Sequence, residues 1–348
     1  MTRTRQEAYA RRAMTLLAAC AVAACGGGGS DGTAQIAGPS TPVTPTAPVT
    51  DNKALQLQAP DLSGLSPQVA AAFSYINAAR LRYGQGVLNP DPLLQKAAQD
   101  HANWIANADS IPEGAHYQVP GTPNFTGYSP ADRVRNAGYT GSNSEVLSAI
   151  SENAILRTPR ELGEAFIKDQ LNTVYHRISI LGPWRDAGYG WAYYSKKQPG
   201  MVENAYVSSV HGLSLGCKSS CQYPNSPFIM VYPTPDSIAD GLRFSNETPN
   251  PAPDLGIGAV FGFPITIETS SEITSVGSFE LRGPDNQIVN SRVHSAKDDP
   301  ARVIKSTEAF LLPLSSLIPN STYTVKLQLQ TKAGAVSKEW KFSTPATN

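Results

Sequence analysis

The chain is expected to fold as α+β, with one region that mixes helices and strands and a second built of strands alone. Three observations lead there. Apolar residues recur at helical spacing in stretches opening at Ser66, Pro92, Ser129 and Thr158. Strand-like pieces lie between and after these without a regular strand-helix-strand beat, which disfavours a doubly wound parallel sheet. From about residue 250 the texture changes to short segments in which apolar and polar residues alternate.

Residues 1–24 read as an export signal: a basic stretch over 1–14, then an apolar run from Thr15 to Ala24. That run is half the roughly 20 apolar residues a spanning helix needs. Val22-Ala23-Ala24-Cys25 resembles the lipobox of bacterial lipoproteins, which implies lipidation of Cys25 and, with Gly26 following, sorting to the outer membrane, facing the periplasm or the surface. Leu17-Ala18-Ala19-Cys20 fits the same pattern but leaves five apolar residues before it, and an ordinary secretory signal cleaved nearby is the alternative. Residues 25–60, rich in Gly and then in Pro and Thr, carry too little apolar surface to offset ordering entropy and read as a tether.

In the first folded region, assigned to 65–240, Ser66-Pro67 opens a helix on which Val69, Ala72, Phe73, Ile76 and Ala79 share a face up to Gly84. A second starts near Pro92 with Leu94, Ala97, Ala98, His101 and Ile105 inward, and a third runs from Ser129-Pro130 to Gly138. Thr158-Pro159-Arg160-Glu161 is a capping box announcing a fourth. Tyr189-Gly190-Trp191-Ala192-Tyr193 alternates large and small residues, as a strand with core aromatics on one face does, and Ser226 to Tyr232 is a further strand. In the second region, 250–348, Phe261, Phe263, Ile265 and Ile267 alternate with smaller or polar residues, as do Tyr323, Val325, Leu327 and Leu329. Tyr323, near the start of its strand, resembles the tyrosine corner of immunoglobulin-like and fibronectin-like sandwiches. Each region is expected to have its own core.

The chain has 28 basic and 28 acidic residues. The signal holds Arg3, Arg5, Arg11 and Arg12 against Glu7 alone, so the remainder has a net charge of −3. Without a basic run, nucleic acid is excluded as a partner. Cys217 and Cys221 are expected to form a small disulfide loop in an exported chain. No phosphate-cradling loop, nucleophile elbow or His-Glu-x-x-His helix occurs.

Asn77-Ala78-Ala79-Arg80 with Leu88, Leu94 to Trp104, Ala131-Asp132-Arg133 to Tyr139, Ser144 to Leu147, Tyr175 to Leu181 and Gly188 to Trp191 follow one another in a set order. Through them, residues 70 to about 215 resemble the CAP superfamily (cysteine-rich secretory proteins, antigen 5, pathogenesis-related proteins) in its bacterial form. The resemblance implies an α-β-α sandwich whose central cavity is lined by two His and two Glu and can hold a divalent cation. His116 matches the first His, Glu145 the first Glu and His176 the second His; Glu152 rivals Glu145. The second Glu has no match, and Asp169, in step with Leu162, Phe166, Thr173 and His176 if the helix runs that far, is the best substitute. Two imidazoles suit Zn²⁺, with Ca²⁺ or Mg²⁺ the other candidates. The other reading of His116 and His176 is a buried polar network without metal. His101 is expected to be a packed, hydrogen-bonded core residue, and His211 and His294 to lie on the surface or in loops.

The function expected is a non-catalytic, lipid-anchored, monomeric binding module of the cell envelope for a small hydrophobic, peptide or glycan ligand, held to the membrane by its lipid. The runner-up is a metal-assisted hydrolase, with His116 and His176 holding the cation and Glu145 as general base. A third reading makes both regions spacers or adhesins.

Overall fold

The computed structural model describes residues 54–108, 115–153, 157–193 and 206–348. Cys20 and Cys25, with the expected signal and most of the tether, lie outside them. The helices begin where local chemistry demands. Asp91 caps α2 (Pro92–Asn107) by accepting from the N–H groups of Leu93 and Leu94, while Ser129–Asp132 and Thr158–Glu161 form reciprocal capping boxes for α3 (Pro130–Asn136) and α4 (Pro159–Leu171). With α1 (Pro67–Tyr83), all four carry Pro in the first turn, where its missing N–H costs nothing. Gly84 ends α1 at φ 96°, a left-handed conformation that favours glycine. The fourth helix stops short of His176: α4 ends at Leu171 and a separate α5 (Tyr175–Ile180) follows.

The first sheet has the order β1-β3-β4-β2, formed by β1 (Asn89–Pro90), β2 (Ser142–Asn153), β3 (Asp186–Tyr193) and β4 (Tyr206–Cys217). Its β2, β3 and β4 are antiparallel, and β1 runs parallel to β3. The large–small alternation of β3 is what lets two layers of helix close on it. Tyr189, on one face, packs on Phe166 of α4 and accepts a 2.9 Å hydrogen bond from Gln68 of α1. Gly188 and Gly190, on the other, touch the α2 backbone so closely that a Cβ at Gly190 would stand 2.3 Å from the Ala98 carbonyl carbon. Because β1 is only two residues long, the β3 edge at Tyr189 and Trp191 lacks a partner strand; the Gln95 and Gln99 side chains of α2 donate to their carbonyls and accept from their N–H groups instead. Tyr193, expected in the core, is exposed. His211, expected on the surface, is fully buried in β4 between the Tyr189 hydroxyl at 2.6 Å and the Ser209 hydroxyl at 2.7 Å.

The remaining strands form an all-antiparallel module. One sheet has the order β10-β11-β8-β5, from β5 (Ile229–Tyr232), β8 (Ile265–Thr269), β10 (Ser291–Ser295) and β11 (Glu308–Pro313). The other has the order β13-β12-β9, from β9 (Ile273–Arg282), β12 (Thr322–Thr331) and β13 (Gly334–Ser343), and β6 (Arg243–Ser245) pairs with β7 (Val260–Gly262). The architecture is therefore α+β. The Tyr323 hydroxyl accepts from the Ile318 N–H at 2.8 Å, the backbone tie of a tyrosine corner. His294, expected on the surface or in a loop, lies half-buried in β10 against the Phe310 ring. β5, within the stretch assigned to the first region, pairs with β8 of the second.

The described residues all fall in one compact unit, and a single apolar cluster runs from Phe73, Phe166 and Tyr189 to Ile267, Val325 and Phe342. The two separate cores that were expected are one. At the seam, the fully buried Arg177 of α5 lies against the rings of Tyr232 and Phe263, 4.9 and 4.2 Å from their centroids, and donates to the Pro264 carbonyl. Tyr175 donates to Asp299 at 2.6 Å, and Tyr75 and Tyr232 both donate to Asp240.

Candidate functional site

The site is built around Glu145. On β2, Val146 turns into the apolar core, so its neighbours Glu145 and Leu147 turn toward α2 and the loop that follows it. That loop is pinned by the buried Gln118. Its amide oxygen accepts from the Thr126 N–H at 2.7 Å, which leaves its nitrogen to donate to Nδ1 of His101 at 3.0 Å. His101 stacks on Trp104 and is the packed core histidine expected; its proton is on Nε2, 3.7 Å from Glu145 Oε1. Burial pushes its pKa down to about 4, against the opposing pull of Glu145.

His116, from the same loop, donates from Nδ1 to Glu145 Oε1 at 2.9 Å. Arg133, carried by α3 and 1% exposed, places Nη2 2.7 Å from both Glu145 oxygens, while its Nη1 donates to the His116 carbonyl at 2.9 Å. Burial alone would raise the Glu145 pKa, but the His116 hydrogen bond and the charges of His101 and Arg133 outweigh it and hold the group below the usual carboxylate range.

His116 and His176 both line one cavity of about 810 Å³, together with Asp169, Leu147, Phe244 and Glu247. His176 does not reach Glu145: its Nδ1 lies 3.2 Å from Oε1 of Glu247. Glu247 follows β6 and accepts from the N–H groups of Val174, Tyr175 and His176 at 2.8, 2.7 and 3.1 Å, closing the start of α5. Asp169 and His176 share the cavity although α4 and α5 are separate helices. Glu152 pairs through its backbone with Val207, and its side chain lies outside the described residues. Cys217 and Cys221 are joined in a disulfide with Cα atoms 5.2 Å apart, at the end of β4.

Three residues of the site carry no role in the sequence reading. Arg133 stands within a stretch matched to a family, where its only local signal is a charge beside the buried Val134. Gln118 has none. Glu247 lies 71 residues beyond His176, and no spacing rule connects the two.

The residues present do not fit a divalent cation on Glu145. Both oxygens are taken by Arg133 and His116, and the guanidinium already supplies the buried positive charge that a cation would bring. Among the described residues no three His, Cys, Asp or Glu side chains come close enough to hold a metal.

A three-layer α-β-α domain with a His-Glu-Arg cluster beside a cavity defines the class. Residues 73–206 match the family described as "CAP: Cysteine-rich secretory protein family", and this segment of the chain is a CAP domain. No curated protein matches the chain. Among solved structures, CopC from Methylosinus trichosporium OB3b aligns over 34% of this chain and 93% of that one, at 12% identity and a TM-score of 0.23, a likeness too slight to carry any argument.

Proposed function

We propose that this CAP-domain protein is an exported, lipid-anchored, non-catalytic binding module of the cell envelope, monomeric, with the cavity between His116 and His176 as its ligand site. The observation that carries the reading is the state of Glu145. A general base needs a free lone pair and a pKa near the working pH. This carboxylate has both oxygens engaged and a lowered pKa. Thr173 is no better placed as a nucleophile, because its hydroxyl donates to the Gln170 carbonyl at 2.8 Å. What remains is a cavity with an apolar wall, formed by Ile105, Leu147, Val210 and Phe244, facing two imidazoles, the usual composition of a ligand pocket.

Purified protein assayed on peptide and ester substrates, with and without a chelator, is expected to show no turnover and no chelator effect. Turnover abolished by Glu145→Ala and His176→Ala would restore the hydrolase. Anchoring is tested apart from this: palmitate labelling in growing cells should be lost in Cys25→Ser, and labelling that persists would remove the anchor from the reading.

A further inference from the structure

Two carboxylates from opposite halves of the molecule each lie beside the same ring atom of a cavity-lining imidazole. Nδ1 of His116 lies 2.9 Å from Glu145, and Nδ1 of His176 lies 3.2 Å from Glu247. An ionised carboxylate draws a proton to the ring nitrogen beside it, so in each pair the proton sits on Nδ1, through a hydrogen bond at His116 and through the neighbouring charge at His176. Thr173 Oγ1, 3.3 Å from the same His176 nitrogen, gives its own proton to the Gln170 carbonyl and accepts as well. In the neutral ring, a proton on Nδ1 leaves Nε2 a bare acceptor. Among the described residues neither Nε2 has a hydrogen-bond donor of the protein. The cavity thus presents two acceptors, one set by the CAP domain and one set by the β-module, beside the Leu147 and Phe244 side chains.

We propose that this cavity is a two-module acceptor site for a ligand with several hydroxyl donors and an apolar face, as a glycan fragment has. His116 and His176 take the hydroxyl protons at Nε2, and Glu247 is the positioning residue that holds His176 in the required tautomer. The proposal rests on the binding reading above and narrows it. An acyl chain would leave both acceptors buried without donors; a sugar ring covers them with hydroxyls while its C–H face packs on Phe244.

The test uses the full-length chain, with N-acetylglucosamine trimer and decanoate as probes in calorimetry, and long-range ¹H–¹⁵N spectra of the imidazoles. The trimer is expected to bind and decanoate not, and both rings should carry the Nδ1 proton. Glu247→Gln, which removes the charge beside Nδ1 and keeps one of the two oxygens that accept from the α5 N–H groups, should move His176 toward the Nε2–H tautomer and weaken the trimer about tenfold while leaving the His116 signals in place. His176→Gln, whose amide oxygen reaches the Nε2 position, should keep most of the affinity that His176→Asn loses. Decanoate binding without trimer binding would overturn the acceptor site and leave the binding module standing, whereas failure of both probes would overturn the two together. An Nε2–H tautomer in the wild type, or a Glu247→Gln protein with unchanged tautomer and affinity, would overturn the role of Glu247.

Discussion

Arg133 and Glu145 form a buried ion pair in which each partner answers the other's desolvation. Arg133→Met leaves a carboxylate buried without its cation and is expected to cost about 3 to 5 kcal/mol in denaturant unfolding; Glu145→Leu added to it should recover part of that loss. Two other buried groups give opposite pH dependences. Burial pushes His211 down to about 4, so between the ordinary 6.5 and 4 the unfolded chain takes up a proton that the folded chain refuses. Its contribution is complete above 6.5 and is lost on acidification, and the stability advantage of the wild type over His211→Asn should shrink by about 3 kcal/mol across that window. Glu268 faces Glu308 across the β8–β11 ladder; burial first, then the Glu308 charge, pushes it up to about 7. Here the folded state holds the proton, so stability falls as pH rises through 7, and Glu268→Gln should gain about 3 kcal/mol over the wild type between pH 4.5 and 8. Thermal unfolding of the variants against pH checks both signs. At this scale the sequence pointed to His116, Glu145 and His176 through resemblance alone. It could not reveal Arg133 or Glu247, because what makes them matter is a contact and not a spacing.

Among the elements, β3 and α2 depend on each other. The glycines of β3 admit the α2 backbone, and the Gln95 and Gln99 side chains of α2 complete the β3 edge. Gly190→Ala drives a Cβ into helix backbone at 2.3 Å, which cannot move alone, and is expected to destabilise by about 3 kcal/mol or more. Gly212→Ala, on the neighbouring strand, meets at 3.0 Å only the tip of the Leu147 side chain, which can turn aside; its cost should be well under half as large in the same chemical-denaturation measurement. Helix starts were legible because caps and N-terminal prolines act over three or four residues. The break between α4 and α5 was not, because it is Glu247, far along the chain, that satisfies the free N–H groups of the second helix.

For the whole molecule, the CAP domain and the β-module share one apolar cluster, and Arg177 crosses the seam. A fragment ending at residue 225 would expose that cluster, strip Arg177 of the Pro264 carbonyl and the Tyr232 and Phe263 rings, and leave the α5 N-terminus without Glu247. It is expected to lose its near-ultraviolet circular dichroism and cooperative melting, whereas two independent domains would each keep both. The sequence texture changes near residue 250 and groups β5 with the first region, yet β5 pairs with β8 of the second. A strand of four residues shows its periodicity and nothing of its partner.

By itself, then, the sequence determined what local rules govern: where helices begin, which strands alternate, the class α+β, the Cys217–Cys221 loop and the CAP motif residues. Capping, periodicity and short covalent spans are all settled within a few positions of the chain. Only the tertiary structure decided that the two regions share a core, that Arg133 occupies the charge site on Glu145, and that the acid beside His176 is Glu247 of the β-module. The physical reason is that burial and ion pairing act across space between segments far apart in the chain, Glu247 lying 71 residues beyond His176. No pattern of neighbours encodes such a meeting before the chain has folded.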